Sequence, residues 1–274
     1  MATLYASSSA SAAAAALRAP RAGWRWAVVG ILVGIAWALA VYAPARWLAA
    51  GLAQWSDGKL QLVNARGTVW SGSAGVVFAS GADGAQAISL PGTLGWTLRP
   101  RWDGVAASLD LSCCAEQPIE LRARPRGEGV ELDWRDNRSR WPAALLAGFG
   151  APWNTLKLDG MLDVSMQAFV LRVSGQNLAL AGRATLDATD ISSSLSTLKP
   201  MGSYHVALDG GPAPTLLLTT RDGSLLLTGS GRWNGRSMRF DGEASAAPGR
   251  EEALSNLLNI IGRRDGARSL ISLG

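Results

Sequence analysis

The sequence has one histidine, His205, and two cysteines, the neighbours Cys113 and Cys114. That scarcity excludes most site chemistry. A zinc site needs three or four nitrogen and sulfur ligands, more than these residues supply. No Gly-x-Ser-x-Gly elbow, Walker loop or His-Glu-x-x-His helix occurs. His205 stands in Tyr-His-Val-Ala-Leu, a strand-like context, and is expected to be a hydrogen-bonded structural residue. Asp159 and Asp163 flank a turn into a strand and read as solvated surface. The expectation is a non-enzymatic protein with no catalytic residue, no cofactor and no metal.

Charge is sparse as well. No acidic residue precedes Asp57, and no run of adjacent basic residues exceeds Arg263-Arg264. The formal net charge is +5, of which Arg18, Arg21 and Arg25 supply three, leaving +2 for everything downstream. Without a basic stripe, nucleic acid is not an expected partner.

What is present begins with Trp26–Ala45, WAVVGILVGIAWALAVYAPA, with no charge across it. About 20 such residues match a bilayer core at about 1.5 Å per residue. Trp24, Trp26, Tyr42 and Trp47 sit at its ends, where aromatic rings favour the membrane–water interface. The rival is a cleavable signal peptide, since Ala43-Pro44-Ala45 has a small-x-small form. Such peptides carry shorter apolar regions, so an uncleaved anchor is the preferred reading. Three arginines before the span against Arg46 after it predict a cytoplasmic N-terminus and an exported remainder.

The chain is then expected to divide into an Ala/Ser-rich tail (1–25, disordered), a transmembrane helix (26–45), a juxtamembrane segment (46–56) and a β-rich domain (57–274). In the juxtamembrane segment Trp47, Leu48, Leu52 and Trp55 fall near helical spacing, and Pro44 marks a bend. From Lys59 the apolar period becomes two. Short alternating runs such as Leu94–Leu98, Val105–Leu111, Tyr204–Leu208 and Ser237–Ala244 are bounded by Gly, Pro, Asp or Asn. That is the form of an antiparallel, meander-type sheet with one buried and one wet face. Two short helices are predicted to interrupt it. Ser139–Phe149 has Ser139 as cap and Pro142 in the first turn. Glu251–Ile261 carries Leu254, Leu257, Leu258 and Ile261 at i, i+3, i+4, i+7, with Gly262 as the stop. The first of these helices is a candidate divider between halves at 57–138 and 155–247, with the second forming a C-terminal helix at 250–261.

Two features carry candidate sites. Adjacent Cα atoms lie about 3.8 Å apart, short of the usual disulfide range of about 4.4–6.8 Å. Two readings of Cys113 and Cys114 stay open: reduced thiols, as in a cytoplasm, or a vicinal disulfide formed in an oxidising compartment. Arg122, Arg124 and Arg126 alternate and so share one strand face. They are a candidate docking face for acidic protein surface or lipid phosphate. Against that, Glu128, Glu131, Asp133 and Asp136 stand close enough in sequence to cancel its field. The many tryptophans, Trp70, Trp96, Trp102, Trp134, Trp141, Trp153 and Trp233 among them, are expected to fill the β core or its rim.

Several segments, in order, resemble protein N of the type II, or general, secretion pathway. They are Arg-Gly-Thr-Val-Trp-Ser-Gly (Arg66–Gly72), Leu-Lys-Pro-Met-Gly-Ser-Tyr (Leu198–Tyr204), Gly229–Trp233 with Phe240–Ala244, and Leu-Leu-Asn-Ile-Ile-Gly-Arg-Arg (Leu257–Arg264). The likeness covers the span and most of the domain after it; the tail falls outside. It implies a Gram-negative inner-membrane protein, single-pass, with a periplasmic β-rich domain. It also implies an accessory role, beside other inner-membrane subunits, in exporting folded proteins across the outer membrane. It brings no catalytic residues. A more distant likeness to AsmA-like envelope proteins implies the alternative, a membrane-anchored lipid-binding or lipid-transfer module.

Overall fold

The computed structural model describes residues 24–80, 86–150, 153–175, 177–233 and 237–274. Of the tail expected to be disordered, residues 1–25, residues 1–23 lie outside that set, and Trp24 and Arg25 belong to the first helix. The chain forms two compact units, Met1–Ala43 and Pro44–Gly274.

In the first unit, helix α1 (Trp24–Val41) buries no residue. It is long and apolar enough to cross a membrane, about 27 Å at the helical rise. It stops four residues short of the expected Ala45. Pro44 explains the stop, because its ring disfavours helical geometry in the residue before it.

The second unit starts upstream of the expected boundary at residue 57. Helix α2 (Ala45–Trp55) begins directly after Pro44. Its apolar stripe packs into the sheet, with Ala45 and Leu48 against Ala74, Trp96 and Leu62. The fold is mainly β, as the alternation predicted. One antiparallel sheet runs β1 (Leu60–Gly67), β2 (Ser71–Ser80), β4 (Leu94–Arg101), β5 (Gly104–Leu111), β6 (Ile119–Arg126) and β7 (Gly129–Trp134). It continues through β9 (Leu158–Ser174), β10 (Asn177–Ser193), β11 (Gly202–Asp209), β12 (Thr215–Gly223), β13 (Leu225–Trp233) and β14 (Met238–Ala246) to β16 (Arg268–Leu273) and β15 (Arg263–Asp265). Two strands lie off this path: β3 (Gln86–Ser89) pairs β2, and β8 (Asn137–Pro142) pairs β9.

The sheet is continuous across the expected division at residues 138–155, because β9 is long enough to serve both sides. Its first part pairs β8, from Met161 to Met166, and its last part pairs β7, from Val170 to Ser174. The change of partner falls at Ala168, which has a positive φ of 46°. The Asp136 carboxylate accepts a 2.6 Å hydrogen bond from the Ala168 amide, closing the gap between the end of β7 and the start of β8. Opposite lies Gly182, at φ 80° in a register shift of β10. A Cβ there would stand 2.1 Å from the Ala168 carbonyl oxygen, so only glycine fits this bulge.

One face of the sheet is apolar, and three further helical pieces join α2 in covering parts of it. The expected helix Ser139–Phe149 is corrected in extent and type: Ser139–Pro142 extend β8, and only Ala143–Phe149 coil, as a 3₁₀ helix. Ser139 is no cap; its hydroxyl accepts a hydrogen bond from Trp141 Nε1 at 2.9 Å. From the 3₁₀ helix, Leu145 packs on Val76, Leu90, Leu111 and Cys114. A short helix, α3 (Trp153–Leu156), leads into β9. Helix α4 (Glu251–Ile261) has the predicted bounds and buries Leu254, Leu257 and Leu258. These leucines meet Met201, Tyr204, Leu225 and Ala244. Tyr204 donates to the Leu225 carbonyl at 3.1 Å, and burial pushes its phenol well above the ordinary tyrosine value.

Candidate docking face

The opposite face is polar. Strand β6 presents Arg122, Arg124 and Arg126 there, and strand pairing decides what each meets. Arg122 lies opposite Asp133, Arg124 opposite Glu131, and Glu131 in turn opposite Arg172 on β9. The Glu131 side chain is only 7% exposed yet faces three guanidinium groups. Arg172 Nε donates to it at 2.6 Å, while Arg126 Nε lies at 3.7 Å and Arg124 Nη1 at 3.9 Å. The Arg172 hydrogen bond chiefly holds this carboxyl below the ordinary glutamate range, against the opposing effect of burial. Arg124 Nη2 also donates to Asp133 at 2.8 Å, and its Nε stands 4.0 Å from Asp103.

Arg124 and Arg126 are thus largely neutralised. Arg122 is exposed and, among the described residues, makes no ion pair. Its register neighbour across β5 is Ala106, and beyond Ala106 lies Arg99 on β4. Arg99 and Arg101 alternate on β4 as the arginines of β6 do, and both are exposed. Together Arg99, Arg101 and Arg122 line an open hollow of about 470 Å³, with Glu120, Asp133 and Arg135 on its other side. Arg135 donates to Glu120 at 2.6 Å, which leaves the other three as the available charge. The expected face comprises the β6 arginines and omits Arg99 and Arg101. The alternation Arg99-Pro-Arg101 before the turn Trp102-Asp103-Gly104 was the available signal.

Cys113 and Cys114 follow β5, away from these arginines, with their sulfurs placed 2.05 Å apart. Cys114 is buried and Cys113 exposed. Both border an open hollow of about 920 Å³ on the polar face, together with Arg140, Asp163, Asp187 and Arg221. Arg140 Nε donates to Asp163 at 2.6 Å, which pushes the guanidinium further above its ordinary value. His205 Nδ1 and Arg221 Nη2 meet Asp187 Oδ1 at 2.6 and 2.7 Å. His205 is therefore a hydrogen-bonded partner of Asp187, which also pairs with Arg221. Among the described residues no three His, Cys, Asp or Glu side chains are grouped to hold a metal.

A family model, type II secretion system protein N, matches residues 58–270. The match runs from the turn after α2 into β16 and covers most of the chain. This chain belongs to the type II secretion system protein N family. Comparison with curated proteins and with solved structures found no match. Membership carries an accessory role in type II secretion, and with it association with other subunits of that system. It fits a domain that offers sheet faces and charged surface.

Proposed function

We propose that this protein is a non-enzymatic accessory subunit held in the inner membrane of a Gram-negative cell. Helix α1 is its single span, the N-terminus is cytoplasmic, and the β domain stands in the periplasm. The family match carries the reading; the uncharged run that starts at Trp26, behind Arg18, Arg21 and Arg25, supports the orientation. In the membrane plane, anchored subunits meet at high effective concentration, so weak contacts suffice to hold an assembly. The polar face around the exposed Arg122 is the surface available to an acidic partner. Export also places Cys113 and Cys114 where a vicinal disulfide is the stable form. Protease added to spheroplasts should remove the β domain and spare the tail. Protection of the domain, or a mature chain starting at Arg46, would refute this topology.

A further inference from the structure

Of the exposed tryptophans in the β unit, Trp102 is the most exposed, at 97%. It occupies the turn between β4 and β5, with no core to fill. An indole pairs an apolar ring with a polar N–H, and such rings are enriched at membrane–water interfaces. Its surroundings narrow the choice.

The chain enters this unit at Pro44, which bridges to Thr68 in the β1–β2 turn. Ser71, at the start of β2, lies opposite Thr97, so Trp102 stands five residues further along the strand direction. The β4–β5 hairpin therefore reaches about 17 Å beyond the start of β2. The neighbouring hairpin turns reach the same end, because Val105 lies opposite Ala123 and Gly129 opposite Ser174. Val105, Val130 and Val173 are exposed there. The unpaired Arg99 and Arg101 flank Trp102, and Arg46 and Trp47, both exposed, begin α2 beside Pro44. Exposed indole, valine and arginine with few free acids is the composition that settles at a lipid headgroup layer.

We infer that this hairpin rim, with Trp102 at its apex and Arg99 and Arg101 behind it, rests on the phospholipid surface of the membrane that anchors the chain. The inference rests on reading α1 as that anchor. Only Tyr42 and Ala43 separate Val41 from Pro44, a span of about 10 Å. So short a linker makes any contact of this unit with the anchoring membrane effectively intramolecular. Charge complementarity selects anionic phospholipid, since Arg99 and Arg101 have no ion pair among the described residues. A rim seated in this way would fix the orientation of the sheet, leaving its two broad faces open to partner subunits.

The test uses the full chain in vesicles of phosphatidylethanolamine and phosphatidylglycerol. A spin label at Glu128→Cys, on the adjacent β6–β7 turn, leaves Trp102 intact. A label at Gln117→Cys, in the β5–β6 loop at the other end of the sheet, is the control. Intact mass confirms one label per chain. The expected result is collision with oxygen severalfold favoured over a nickel chelate at position 128, and the reverse at 117. Adding Trp102→Ser, Arg99→Gln and Arg101→Gln should return position 128 to the behaviour of 117. Equal aqueous exposure at both positions in floating vesicles overturns the inference alone. Shielding of 128 from both reagents indicates protein contact and overturns it too, as does an unchanged profile in the triple variant. A full chain that fails to float with the vesicles overturns the anchor reading together with this inference.

Discussion

Replacing Leu258 by alanine tests how the sheet is closed. Leu258 sits at the centre of α4 with no exposed surface, among Met201, Tyr204, Leu225 and Ala244. Its carbonyl also accepts a hydrogen bond from the buried Ser269 hydroxyl, which ties α4 to β16. Truncation removes three buried carbons and leaves a cavity that a sheet paired on both sides cannot collapse into. Fully buried Leu→Ala substitutions cost about 3–5 kcal/mol. Against a total stability of about 5–15 kcal/mol, that is a large fraction. The adjacent Asn259 is exposed, and Asn259→Ala should stay within about 0.5 kcal/mol. Urea unfolding of the full chain in nanodiscs, followed by circular dichroism, reads both variants against the parent. The midpoint should fall for Leu258→Ala with an unchanged slope. A loss below about 1 kcal/mol, or equal effects of the two variants, would refute the packing of α4 on this sheet.

Three further outcomes follow from the same geometry. Gly182→Val should destabilise by about 2 kcal/mol or more, since it drives a Cβ into the Ala168 carbonyl at positive φ, whereas Gly127→Val, with open space around it, should cost less in the same unfolding assay. Glu131 titrates below its unfolded value of about 4.3. Its contribution is therefore complete above that value and lost as pH falls below it, and Glu131→Gln should flatten the acid limb of stability measured from pH 7 downward. Protein purified from the periplasmic side without reductant should be lighter by the two thiol hydrogens of Cys113 and Cys114 and take up no thiol label, while two labelled thiols would reject the bridge.

Much of this architecture is readable from periodicity. Strands with strict alternation, such as Val105–Leu111, and α4 with its i, i+3, i+4, i+7 leucines appear where the pattern puts them. The misreadings have physical causes. Asn64, Ala168 and Asp190 adopt positive φ at or beside register shifts in β1, β9 and β10. Each bulge resets the alternation, so the long strands β9 and β10 read as separate short ones. Segment Asn137–Pro142 is polar and ends in proline, which resembles a helix start, yet it pairs β9 along its whole length. The candidate docking face is half legible. Alternation puts Arg122, Arg124 and Arg126 on one side, but only the register shows that buried Glu131 and half-exposed Asp133 occupy two of them. It also brings Arg99 and Arg101, more than twenty residues away, beside the third.

Deleting the protein from the cell and measuring where folded exoproteins accumulate tests the secretory role most directly. The account predicts that they remain in the periplasm, or that partner secretion subunits fall in abundance, and that restoring the full chain reverses the defect. Unchanged secretion and unchanged subunit levels, with loss of envelope lipid asymmetry instead, would contradict it.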